Sequence, residues 1–130
     1  GPNSALRFNA HADKIDGDRD FMDGDRFGFN PTLRVKLSPR TTMDISYENV
    51  DHERFIDRGI PTGDNGAPKE ALSDVVFGTK STNFHTVEAD IFKVSFESEL
   101  SDTLKSNFVL SHSQFDKVYQ NLYANGYSEI

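Results

Sequence analysis

The chain has 130 residues, with 14 Lys and Arg against 21 Asp and Glu, a formal net charge of -7, no Cys, no Trp and 11 Phe. That size supports one domain at most; the lack of Cys excludes disulfides, thiolate metal sites and cysteine nucleophiles, and no cluster of Lys and Arg is present to meet a nucleic-acid backbone. Charged residues make up 27% and hydrophobic residues 35%, yet 11 Phe and 4 Tyr are too many for a disordered acidic segment, so packed structure is expected.

Taken in chain order, Gly1-Pro2-Asn3-Ser4 looks like the remnant of a cleaved purification tag and is set aside for fold reasoning. Residues 5–130 then form one segment, which starts in mid-strand at Ala5 and reads as a piece of something longer. A first strand near residues 5–12 alternates Leu6, Phe8, Ala10 and Ala12 with Arg7, Asn9 and His11. Asp13 to Arg26 reads as a long acidic loop. From Phe29 to Leu37 the odd positions are apolar and Asn30, Thr32, Arg34 and Lys36 fill the even ones, which predicts a strand over 27–38. After the turn at Ser38-Pro39-Arg40-Thr41, Met43, Ile45 and Tyr47 alternate with Thr42, Asp44, Ser46 and Glu48, giving a strand over 41–50. Asp51 to Asn83 is a 33-residue loop. Val87, Ala89 and Ile91 precede Phe92, Val94 and Phe96 in the opposite phase, so the strand over 86–98 is expected to carry a bulge at Ile91-Phe92. A last strand over 103–120 carries Leu104, Phe108 and Leu110.

The predicted fold is therefore all-β, an antiparallel meander of about five strands with its long loops at one end. No run of 18 apolar residues makes a membrane helix, a test that says nothing of membrane-crossing strands. Long and short connections alternate along the chain. Outer-membrane barrels put short turns at one rim and long loops at the other, whereas a structureless loop of this length is unusual in a compact soluble domain.

Four stretches resemble one family. Phe21-Met22-Asp23-Gly24-Asp25-Arg26-Phe27-Gly28-Phe29-Asn30-Pro31-Thr32-Leu33 is similar to a strand of the TonB-dependent siderophore receptors, with Met22, Asp25 and Phe27 departing from the pattern. Asp57-Arg58-Gly59-Ile60-Pro61 resembles a loop segment of theirs, up to the departure at Thr62-Gly63-Asp64. Phe77-Gly78 with Asn83-Phe84 to Asp90 resembles the lead into their next strand, and Phe115-Asp116-Lys117-Val118-Tyr119-Gln120-Asn121-Leu122-Tyr123 a further strand. The resemblance implies a slice of a 22-stranded barrel in the bacterial outer membrane, whose parent imports a ferric siderophore with energy from TonB; the slice lacks the plug and the TonB box and does not transport by itself. The same resemblance names no ligand contact.

Residue types add little chemistry. Asp16, Asp18 and Asp20 keep the first spacings of a calcium loop, but Phe21 and Phe27 stand where Gly and Glu are required, so a solvated loop is the better account. His11, His52, His85 and His112 lack helical or strand-pair spacing for zinc. No strained nucleophile elbow occurs, so neither an enzyme, a metal site nor a cofactor is expected. Arg54, Phe55, Arg58 and Phe77 are the candidates for an anionic, ring-bearing ligand; the plainer reading has them pack the loop on itself. Tyr47, Phe96 and Tyr119 are candidates for an interfacial aromatic girdle. The competing function is an autonomous soluble β-domain that binds a protein partner through a sheet edge or its apolar face. In water that apolar face predicts either self-association or cover from the chain's own loop and C-terminal segment.

Overall fold

The computed structural model describes residues 2–122; Gly1 of the tag-like tetrapeptide and Tyr123 of the last motif lie outside them. Five antiparallel strands form a single sheet in chain order: β1 (Ser4–Asp16), β2 (Asp23–Ser38), β3 (Thr41–Phe55), β4 (Phe84–Glu99) and β5 (Lys105–Gln120). The only helical turn among the described residues is a short 3₁₀ segment, Glu70–Leu72.

β1 to β4 are each longer than the alternation predicts, whereas β5 begins two residues later than expected, at Lys105. β1 and β2 run into the acidic stretch and shrink the loop between them to residues 17–22. The cause is pairing: Arg26 reaches across to Asp13 with two hydrogen bonds of 2.9 and 2.6 Å, so charged side chains extend a ladder that apolar periodicity alone does not reveal. The loop turns on Met22 N–H donating to Arg19 O and on Phe21 at φ 63, a left-handed position for a bulky residue.

β4 is one unbroken strand, and its side chains keep a single phase from His85 to Phe96. Even positions share a face with the odd positions of β3, as Tyr47 and Asn49 both donate to Asp90, while His85 meets His52 on the other face. The apparent phase change at Ile91-Phe92 is therefore a change in which face is apolar, and no bulge is needed.

By contact the chain divides into two units, residues 2–12, 27–51 and 88–116 in the first and 13–26, 52–87 and 117–122 in the second. In the first, one face is polar, with Asn30, Thr32, Arg34, Asp44, Ser46, Lys93 and Ser95 lining a shallow groove and Arg34 clamped bidentately on Asp44 at 2.7 Å. The opposite face carries Phe8, Phe29, Leu33, Leu37, Ile45, Phe92, Phe96, Phe108 and Leu110. Aromatic rings join there in a row, Phe8 on Phe29 at 6.4 Å and Phe29 on Tyr47 at 5.6 Å, with Phe96 on Phe108 at 6.4 Å. Within this unit its described side chains stay open: Phe8 is 64%, Leu37 53% and Leu110 61% exposed. Of the cover expected from the chain's own loop and C-terminal segment, residues 123–130 lie outside the described residues.

In the second unit the loop is packed. Phe55 and Ile56 are buried, Phe21 lies on Phe55 at 6.0 Å, and Arg19 joins Asp57 in an ion pair of 3.0 Å while donating to Val75 O at 2.5 Å. A small hairpin closes at Thr62 and Pro68, with Gly63 N–H on Ala67 O and Lys69 N–H on Pro61 O.

Candidate functional site

The best-defined polar centre of the second unit is Asn83, which is fully buried. Its Nδ2 lies within hydrogen-bond distance of Ile56 O (3.2 Å), Phe77 O (3.1 Å) and Leu122 O (3.0 Å), and its Oδ1 accepts from Leu122 N–H (3.1 Å). One amide thus ties the chain after β3, the middle of the long loop and the chain after β5. Gly78 makes room for it, since a Cβ there would collide with the Asn83 side chain, and its φ of +124 is open only to glycine at low cost. The Phe77-Gly78…Asn83 stretch of the sequence is accordingly a structural lock.

Two features of this unit are open to a ligand. The first is a cleft of about 260 Å³ lined by Lys14, Asp23, Asp25, Glu53, Arg54, Phe55 and Lys80 among others. Its charges are balanced, and Lys80 is already paired with Asp23. Gly24 forms part of the wall because a Cβ there would lie 2.6 Å from Glu53 O.

The second is a row of rings across three neighbouring strands. His52 on β3 meets His85 on β4 at 5.6 Å between ring centroids, and His85 meets Tyr119 on β5 at the same separation, both edge to face. The expectation that no two histidines share strand-pair spacing is therefore wrong: a loop hides in sequence a pair that the β3–β4 ladder makes adjacent. Period two puts Arg54 beside His52 and Lys117 beside Tyr119 on the same face. Both ring nitrogens of His85 are buried without a hydrogen bond. Burial, followed by the charges of Lys117, Arg54 and His52, holds its imidazole below the ordinary value. Among the described residues neither Arg54 nor Lys117 forms an ion pair.

Of the four residues singled out from the sequence, Arg54 stands at both features. Phe55 lines the cleft but is buried in the loop packing, Phe77 gives its carbonyl to Asn83, and Arg58 is exposed in the loop. Tyr47 joins the ring row of the apolar face, with Phe96 on that face too, whereas Tyr119 lies on the opposite face against His85. No three His, Cys, Asp or Glu side chains converge on a metal position among the described residues. Compared with protein-family models, with curated proteins and with solved structures, the chain matches none.

Proposed function

We propose that the chain is part of the wall of an outer-membrane β-barrel of the TonB-dependent siderophore-receptor kind, a five-stranded slice of a 22-stranded barrel whose parent takes up a ferric siderophore. The observation that carries this reading is a single-layer sheet with an uncovered apolar face and a polar reverse. Each large apolar side chain left in water forfeits roughly 1.5–3 kcal/mol. Lipid on one side and a polar lumen on the other remove that cost, and the alternation apolar-out, polar-in is the barrel pattern.

Strand length agrees. The first unit takes between 9 and 12 residues of each strand, and a tilted strand needs about 9–11 to cross a bilayer. His52, His85 and Tyr119 fall outside those portions, on the long-loop side. The two-residue turn at Pro39-Arg40 and the turn at residues 100–104 fit the short-turn rim.

The test is refolding from urea into phosphatidylcholine vesicles. The reading expects strand circular dichroism with protease protection of the first unit's strands and cleavage in residues 56–83. A chain that stays in the aqueous phase as a monomer, unprotected, would instead favour the soluble domain that binds a partner through its edge or apolar face.

A further inference from the structure

We propose that His52, Arg54, His85, Lys117 and Tyr119 form an oxyanion site, and that filling it is coupled to uptake of one proton by the imidazole pair. The inference deepens the receptor reading and rests on it only for the origin of the anion, on the long-loop side of the sheet.

Three facts converge on an anion. Both nitrogens of the half-buried His85 imidazole are shut from solvent without a protein partner, a costly arrangement that an incoming hydrogen-bonding group would relieve. Two cations on the same face, Arg54 and Lys117, have no carboxylate partner among the described residues. The groups whose charge acts on His85 are Lys117, Arg54 and His52, with no carboxylate among them. A bare metal cation would meet the same two positive charges and find only two imidazoles. A carboxylate or phosphate oxygen meets complementary charge, N–H donors and the Tyr119 hydroxyl.

The proton follows from the same geometry. From β3 the groups facing His85 are His52 and Arg54, from β5 they are Lys117 and Tyr119, and the next residues on that face of β4 are Val87 and Ala89. With the site empty, burial and the cations keep His85 neutral. An arriving anion offsets the cations, so a proton from solvent binds the free ring nitrogen and the imidazolium then donates to the anion. No bond other than N–H forms, and the charge of the bound pair falls toward zero.

The experiment is a titration with inorganic phosphate, and separately with benzoate, followed by the ring NMR signals of His52 and His85 and by calorimetry in two buffers of different ionisation enthalpy. Saturable shifts of both rings are expected with either anion, and proton uptake with affinity that rises from pH 8 to pH 6 is read in the benzoate arm, since benzoate stays a monoanion over that range while phosphate itself titrates. The benzoate arm distinguishes a carboxylate preference from a phosphate preference. Replacing both cations, R54Q with K117Q, should weaken binding about tenfold or more, while R34Q in the first unit serves as the unaffected control. His85→Asn should retain weakened binding and lose the proton. Absence of shifts in the unaltered chain with either anion, shifts undiminished in the double variant, or benzoate binding without proton uptake would each overturn the proposal. Because no lipid is present, a negative result leaves the vesicle test untouched, and failure of vesicle insertion leaves this one valid.

Discussion

The two units hold themselves together in different ways. In residues 27–51 and 88–116 the backbone is satisfied by strand pairing, yet Ala89 is the only buried apolar side chain recorded there. In residues 56–83 regular strand pairing stops, and order comes from Asn83, the Arg19–Asp57 pair and the Phe21–Phe55 contact. The first unit thus depends on surroundings that can accept an apolar face, whereas the second depends on a few specific internal bonds. A change of solvent should act on the first and a single substitution on the second.

The largest expected effect breaks the first side of this contrast. Replacing Val94 and Phe96 with Arg puts two charges on the apolar face, and a cation at mid-bilayer on such a face costs about 2–4 kcal/mol. Vesicle insertion should be lost. The same variant should lower light scattering in water if the apolar faces associate there, as their exposure predicts; unchanged scattering would point to association through the open edges of β1 and β5.

Asn83→Ala tests the second side. It strips the donor from three carbonyls and the acceptor from Leu122 N–H, which at 1–3 kcal/mol per buried group should destabilise the loop by roughly 3 kcal/mol or more. Hydrogen exchange should rise in residues 56–83, with β2 and the turn-proximal half of β4 unchanged. Uniform loss of protection would mean that the units do not differ in this way.

Gly78→Ala should act in the same place by about 1–3 kcal/mol, through its left-handed φ and the collision with Asn83. Combining it with Asn83→Ala should cost less than the sum, since the smaller residue removes the collision.

The smallest effect concerns pH. The folded value of His85 lies below its unfolded value of 6.5, so the unfolded chain binds more protons between the two. Its contribution is fully present above the unfolded value and is lost as pH falls through that window. Thermal melts of the unaltered chain against His85→Asn should converge as pH drops below 6.5, the change being confined to probes in the second unit.

How much of this was legible in the sequence depends on whether a residue acts through its own period or through a distant partner. The alternation at Phe29–Leu37 and Met43–Tyr47 specified strands and which side chains share a face, because a strand's geometry has period two whatever lies around it. The turns at Pro39-Arg40 and residues 100–104 were legible for the same local reason. The extra length of β1 and β2 was not, since it rests on Arg26 meeting Asp13 across the ladder. Nor was the continuity of β4, whose apolar side changes along its length. Asn83 looked like an ordinary loop residue, and its role exists only because Ile56, Phe77 and Leu122 arrive around it. His52 and His85 are separated by the long loop in sequence and become neighbours only through the pairing of β3 with β4. Local periodicity was thus readable from residue order alone, while every contact that spans a loop needed the register of the sheet, which side-chain types by themselves do not set.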